Sequence, residues 1–245
     1  MTAATLERSN DRKVANAVKV SAKGEASPRI KNAFGLLAGL KGSCGGATSV
    51  CLAGCYAGEE SNGSEKIFPS VKALVTRNLD KLRDASLEDM VGMLDAMIQD
   101  FERDCEKWKA PKLFRIHWDG DFFSPRYVHA WAKVIEDHPD VKFWAYTRVW
   151  TAAVYLHRKD FANLGLYFSG DSENIETARR MEALGINIAY VDNTFADGKA
   201  QFPKATRCPE NNRAIKLISD KGSACARCGL CIDGRNSVLF SFTKA

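Results

Sequence analysis

Apolar residues recur along this chain with two different periods. Leu87, Met90, Val91, Leu94, Met97, Ile98 and Phe101 fall on one face, the i, i+3, i+4 spacing of an amphipathic helix. Ser86 precedes them as an N-cap, with Glu88 and Asp89 in the first turn, where carboxylates suit the positive end of a helix. Cys105 continues that face and reads as a buried, inert thiol. From about residue 112 strand-like runs alternate with helix-like runs. The strands expected are Leu113–Trp118, Val141–Thr147, Gly165–Ser169 and Asn187–Val191. The helices expected are Pro125–Glu136, Ala152–Ala162 and Asn174–Leu184. Repeated β-α units of this size predict a parallel sheet.

The apolar run Ala33–Leu40 reads as a buried strand that enters a loop rich in glycine, with Gly42, Gly45, Gly46, Gly54, Gly58 and Gly63. Such a loop lets backbone approach a bound group closely. Counting this strand gives about five to six in all, too few for an eightfold barrel. The fold class expected is therefore α/β, a partial β/α barrel. After Asp192 the periodicity ends. The boundaries expected are a mobile basic arm over 1–30, with Arg8, Arg12, Lys13, Lys19 and Lys23, then the barrel over 31–195. A cysteine-rich C-terminal segment follows over 196–245.

Composition narrows the class. A chain of 245 residues, 45% of them hydrophobic, buries a substantial core and needs no disulfides to fold. No run of about 18 apolar residues is present, so no membrane partner is expected. The N-terminus lacks the apolar core of a signal peptide. The cysteines are therefore expected to stay reduced in a cytoplasm, where close spacing means metal or catalysis. A net charge of +5 permits contact with nucleic acid without arguing for it.

Seven of the eight cysteines form two groups: Cys44, Cys51 and Cys55, then Cys208, Cys225, Cys228 and Cys231. Soft thiolates at such spacing select zinc, cuprous copper or iron–sulfur clusters. The double two-residue spacing of Cys225, Cys228 and Cys231, with Cys208 before Pro209 as a remote fourth, suits a four-iron cluster. Zinc is the alternative. Three cysteines in the first group leave one iron of a cluster open to a ligand, unless a further protein ligand closes it. One or two 4Fe-4S clusters are expected.

The run from Arg115 to Asp121 places Arg115, His117, Asp119 and Asp121 on alternate positions, hence on one strand face. They would project toward the strand's C-terminal end, where parallel α/β folds carry ligands. The alternative is a buried ion-pair network that only holds the fold. Tyr146-Thr147-Arg148, Ser169-Gly170-Asp171 and Tyr190-Val191-Asp192 end later strands in the same polar manner.

Taken together, Cys44…Cys51…Cys55-Tyr56, Arg115-Ile-His117-Trp-Asp-Gly120-Asp121, Trp144-Ala-Tyr146-Thr147-Arg148 and the C-terminal cysteines resemble the gene-product-eighty-eight family of bacteriophages, from about residue 30 to the end. The resemblance implies a phage-encoded iron–sulfur protein in the cytoplasm of a bacterial host. The chain also resembles radical S-adenosylmethionine enzymes distantly. They carry three cysteines after the first strand and a glycine-acid motif after the second, where Gly120-Asp121 stands here. The cysteine spacing departs from theirs, six then three intervening residues rather than three then two.

That second likeness implies S-adenosylmethionine as a cofactor. Gly120, Asp121, Ser169 and Asp171 would bind it, and His117, Asp119, Asp121 and Tyr146 would serve catalysis. Its substrate, small molecule or macromolecule, stays unspecified, and a reductant protein is the partner implied. Two alternatives stay open. One is a redox or regulatory protein without S-adenosylmethionine cleavage. The other is a zinc-stabilised nucleic-acid-binding protein that uses the basic arm with Arg207, Arg213, Lys216 and Lys221.

Overall fold

The computed structural model describes residues 5–14, 30–219 and 222–243. Strand β1 (Ala33–Gly35) is followed by helices α1 (Ser49–Ala53), α2 (Ser64–Ile67), α3 (Pro69–Arg83) and α4 (Leu87–Trp108). Strands β2 (Leu113–Asp119), β3 (Lys142–Thr147), β4 (Leu164–Gly170) and β5 (Asn187–Asp192) then alternate with α5 (Pro125–Asp137), α6 (Trp150–Arg158), α7 (Ile175–Ala183) and α8 (Phe195–Gln201). Last come β6 (Thr206–Arg207), the antiparallel pair β7 (Ile218–Ser219) and β8 (Gly222–Ser223), α9 (Ala224–Cys228) and β9 (Val238–Ser241).

Seven strands form one sheet in the order β1-β2-β3-β4-β5-β9-β6, each parallel to its neighbours. Strands β1 to β5 are neighbours in chain order, so the winding never reverses as it does in a doubly wound sheet. Strand alternation then sorts the side chains. Phe114, Ile116, Phe143 and Ala145 pack with Leu94, Phe101 and Trp131 of the helices. Phe168, Ile188, Tyr190 and Leu239 pack with Ala178, Met181 and Phe202. On the opposite face, Trp144, Tyr146, Tyr167, Ala189, Val238 and Phe240 meet Leu230, Ile232 and the thiols Cys208, Cys225 and Cys231. The C-terminal segment thus fills the space that a closed barrel would fill with its own strands. Each fully buried aromatic such as Trp144 or Tyr167 contributes roughly 2–3 kcal/mol to that packing.

The α/β class and the partial barrel are as expected; the strand count is higher. Regular structure does not end at Asp192, because α8, β6 and β9 follow. Helix α8 is announced by a capping box, Thr194 and Asp197 bonding each other's backbone N–H, a local signal independent of hydrophobic period. Helix α3 begins at Pro69, a residue that suits the first helical turn, and it too lies outside the expected set.

Of the arm expected over 1–30, residues 5–14 lie against the body. Leu6 and Val14 are buried. Ser9 bridges Ala33 in antiparallel fashion, covering the outer edge of β1. Arg8 pairs with Asp100 at 2.5 Å and with Asp104 at 2.7 Å. Over these ten residues the chain is docked, with Arg8 paired to acids on α4, Lys13 to Glu210 and Glu7 to Arg77. Residues 1–4 and 15–29, with Lys19 and Lys23, lie outside the described residues, as does Lys221. No helix among the described residues is long and apolar enough to cross a membrane. Cys105 is buried on α4, and burial pushes its thiol up to about 12.

Candidate functional site

Parallel strands end at a common rim, and the loops leaving that rim are where such folds build sites. A cavity of about 410 Å3 lies between the rim, the inner sheet face and the C-terminal segment. Cys44, Cys51, Cys55, Cys208, Cys225, Cys228 and Cys231 all border it, and each is a free thiol.

The first three thiols are held from the strand ends. Cys44 lies in the loop after β1, Cys51 within α1, and Cys55 just beyond it. Thr48 caps α1 by accepting from the Cys51 N–H at 3.0 Å. The same hydroxyl donates to Asp171 at the end of β4, at 2.5 Å. Asp171 also takes the Arg148 guanidinium at 2.6 Å, and that guanidinium lies against the Cys51 thiol. The Gly58 N–H donates to Cys55 Sγ at 3.2 Å, a contact that strengthens when the sulfur is a thiolate.

The other four thiols sit on short elements. Cys208 follows β6, and its N–H donates to the Leu239 carbonyl at 2.9 Å. Cys225 and Cys228 lie on α9, with Cys231 after it. The Cys225 N–H donates to the Lys13 carbonyl at 3.0 Å, and Lys13 Nζ pairs with Glu210 at 3.3 Å. Cys231 interacts electrostatically with Cys208, Cys228 and Cys225. Cys51 does so with Cys44 and Cys55. The seven thiols are thus a triad and a tetrad on one cavity.

Burial raises the thiols of Cys44, Cys51 and Cys208, that of Cys225 to about 12 and that of Cys231 to about 11. Carboxylates of Asp121 and Asp119 push Cys44 the same way. Lys13 and Arg115 oppose the shift at Cys225. A thiolate here therefore calls for a compensating positive charge, which bound metal supplies.

Arg115 stands near the tetrad. Its Nη1 bonds Asp11 at 2.7 Å and its Nη2 bonds the Tyr56 hydroxyl at 3.0 Å. Its guanidinium also lies 5.5 Å from the centre of the Tyr146 ring. The Tyr146 hydroxyl in turn bonds Cys231. Tyr56, the neighbour of Cys55, donates to the Trp118 carbonyl.

Simple alternation does not hold along β2. Arg115 pairs with Ala33 but Asp119 with Gly35, so the register slips between them. His117 absorbs the slip with a left-handed φ of 58°, as a β-bulge does. Its ring is thereby turned into Phe122, Tyr127 and Trp131, with Nε2 2.8 Å from the Tyr127 hydroxyl. Burial among these rings lowers its pKa to about 3. The histidine expected to work with Arg115 and Asp119 is a neutral member of the aromatic layer under α5.

Asp121 ties three elements together. Oδ1 accepts from Thr147 Oγ1 at 2.6 Å and the Phe122 N–H at 2.7 Å, and Oδ2 from the Arg148 N–H at 2.8 Å. Its own N–H donates to Ser43 Oγ at 3.1 Å. The carboxylate expected to bind a cofactor thus has its oxygens engaged in joining the ends of β2 and β3. Gly120 permits this contact. Its φ is +81°, and a Cβ there would stand 2.4 Å from Ser43 Oγ and 2.7 Å from the Leu36 carbonyl. Ser169 borders the cavity at the end of β4. Asp119 borders it too, beside Glu65 of α2.

Sequence reasoning missed Glu65, Asp11 and Thr48. Glu65 sits in the polar run Ser64-Glu65-Lys66, which reads as surface yet leaves Glu65 buried. Asp11 belongs to a segment read as mobile. Thr48 carried a usable signal, a hydroxyl three residues before Cys51, the N-cap spacing.

A family model described as Gene product 88 matches residues 4–234. The Gene 88 protein of Mycobacterium phage L5 is 60% identical over 241 residues, 98% of this chain and 99% of the relative. The Gene 88 protein of Mycobacterium phage D29 is 60% identical over 242 residues, again 98% and 99% of the two chains. No solved structure matches.

Proposed function

Since the chain belongs to the Gene product 88 family, with matched relatives from bacteriophages, we propose that it is a phage iron–sulfur protein acting in the host cytoplasm, and a radical-SAM-like enzyme. The observation that carries this is the gathering of all seven clustered thiols on one cavity as a triad and a tetrad. No three His, Cys, Asp or Glu side chains among the described residues converge on a single ion. A tetrahedral zinc site would bring its sulfurs to about 4 Å apart. The double two-residue spacing of Cys225, Cys228 and Cys231, with the remote Cys208, is what favours a four-iron cluster over zinc.

In this reading Cys208, Cys225, Cys228 and Cys231 close one four-iron cluster. Cys44, Cys51 and Cys55 hold the other and leave a position for a ligand. When bound there, such a cluster supplies one-electron reduction of S-adenosylmethionine, delivered from a reductant protein. The chain supplies position and electrostatics. Arg148 offsets charge at Cys51, and Lys13 with Arg115 offsets it at Cys225. Asp171 fixes α1 through Thr48, and Asp121 fixes the cysteine loop through Ser43. Trp144, Val191 and Val238 give the cavity apolar walls, which exclude water. Ser169 and Gly120 border the space left for the ligand, and Tyr146 faces the tetrad. A cavity of this size accommodates a small organic ligand.

Adding S-adenosylmethionine to the anaerobically reduced protein is expected to change the electron paramagnetic resonance signal of the triad cluster. Cys51→Ala is expected to abolish the response. An unchanged signal in iron-replete protein would reject the enzyme reading and favour a redox or regulatory role.

A further inference from the structure

Charge is spread unevenly along the chain. Residues 204–235 hold seven lysines and arginines against three acids, which accounts for most of the net charge of +5. This segment is two-sided. Leu230, Ile232, Cys225 and Cys231 pack against the inner sheet face, while Arg207, Arg213, Lys216 and Arg227 are exposed. The described acids of the segment are already used, Glu210 by Lys13 at 3.3 Å and Asp233 by Arg235 at 3.4 Å. Among the described residues the four exposed cations have no acidic partner.

Lys13 brings a fifth cation to this group. Its carbonyl accepts the Cys225 N–H at 3.0 Å, and its Nζ pairs with Glu210. Arg12, exposed and also without an acidic partner among the described residues, is thereby set beside α9. It is also set beside the turn in which the Arg213 N–H donates to the Glu210 carbonyl at 3.0 Å. Arg227 Nη1 donates to Ser219 Oγ at 3.0 Å, which places it at the β7–β8 pair that follows Lys216. Asp11, the acid next to Arg12, is held by Arg115 at 2.7 Å. Exposed like charges gathered without acids repel one another, and a polyanion relieves that repulsion. Arg213 has a φ of 57°, a left-handed conformation more usual for glycine, asparagine or aspartate. Its guanidinium nonetheless bonds nothing among the described residues.

We propose that Arg12, Arg207, Arg213, Lys216 and Arg227 form a contact surface for the phosphate backbone of a nucleic-acid duplex. Free cations on a surface neutralise successive phosphates and release their counterions. Ile218 is the only large apolar side chain of the segment that is exposed among the described residues. A membrane surface calls for an apolar face to insert, a protein partner for an apolar or aromatic centre, and a single strand for rings on which bases stack. The segment presents cations instead. Contact with phosphates alone carries no sequence information. Lys13 and Arg115 face the thiols and are not part of this surface, so the assignment does not depend on which metal the cysteines hold.

Fluorescence anisotropy tests this with the full-length protein, purified without air, and labelled DNA and RNA duplexes of about 24 base pairs. Affinity is expected to fall about a hundredfold between about 50 and 200 mM salt, as for about four neutralised phosphates, and to be equal for two unrelated sequences. Such binding of either duplex supports the assignment, and the tighter of the two identifies the source. Arg213→Gln/Lys216→Gln is expected to weaken binding at least about tenfold at the lower salt and to reduce the salt slope by about two. Its melting temperature is expected to stay unchanged, since neither side chain has a partner to lose. Arg158→Gln/Lys159→Gln removes the same charge from exposed positions at the end of α6, across the sheet. It is expected to leave affinity within about twofold. No binding of either duplex at the lower salt, tighter binding of the single strand or of vesicles of anionic phospholipid, or equal losses in the two double variants overturns the assignment.

Discussion

Gly165→Val is expected to separate the C-terminal segment from the sheet and to cost about 3 kcal/mol or more of stability. Gly165 lies on the inner face of β4, where a Cβ would stand 2.1 Å from the Cys231 carbonyl oxygen and 2.9 Å from that of Ile232. Both contacts are backbone, so no side chain can swing away to relieve them. Overpacking of a close-packed interior typically costs about 1–3 kcal/mol. Displacing Ile232 from Trp144 adds the loss of an apolar contact. The tetrad would move with Cys231, so any energy of metal binding there is lost as well. Denaturant unfolding with limited proteolysis measures both effects. A midpoint and cleavage pattern equal to those of the unaltered chain would place the segment away from β4. Gly165→Ala is expected to act in the same direction and less strongly.

Cys228→Ala is expected to lower the melting temperature by about 10 °C or more and to open the C-terminal region to trypsin. Among the described residues, the stretch from Thr206 to Ser237 contains only two-residue strands and the five-residue helix α9, too little hydrogen-bonded structure to hold itself. In the proposed reading its order depends on a cluster held by Cys208, Cys225, Cys228 and Cys231, whose binding energy would be energy of folding. At about 2–4 °C per kcal/mol for a chain of this size, loss of a few kcal/mol gives the shift stated. Arg213 and Lys216 are exposed in that stretch and provide the cleavage sites. Cys51→Ala is expected to differ, shifting the melting temperature by only a few degrees, because α1 is also held by Thr48 on Asp171 and by Ser49 on Glu173. Equal shifts in the two variants would contradict the division into a structural tetrad and a reactive triad.

The sequence made the central β-α units legible because each carries its own period and ends in polar residues. Observed strands β2 to β5 and helices α5 to α7 agree with those expected to within a few residues. Cys44, Cys51 and Cys55 were legible as a loop group because glycines surround them. What escaped was non-local. The filling of the inner sheet face by Cys208, Cys225 and residues 230–232 depends on Gly165 meeting Cys231, a contact between residues far apart in the chain. The bulge at His117 breaks an alternation that the residue types alone support, since histidine suits either face. Glu65 looks like a surface acid until α2 brings it to Asp119. The docking of residues 5–14 likewise depends on distant partners, Asp100 and Asp104 of α4 for Arg8, Arg115 of β2 for Asp11 and Glu210 for Lys13.

What the seven thiols hold separates the iron–sulfur reading from its zinc alternative. Iron and acid-labile sulfide measured on protein purified without exposure to air, together with its visible spectrum, test that claim. About eight iron and eight sulfide per chain are predicted, the content of two four-iron clusters, in a brown protein that loses about half of each in Cys228→Ala. Stoichiometric zinc without sulfide, or a colourless protein that takes up no iron when iron and sulfide are supplied, would contradict it.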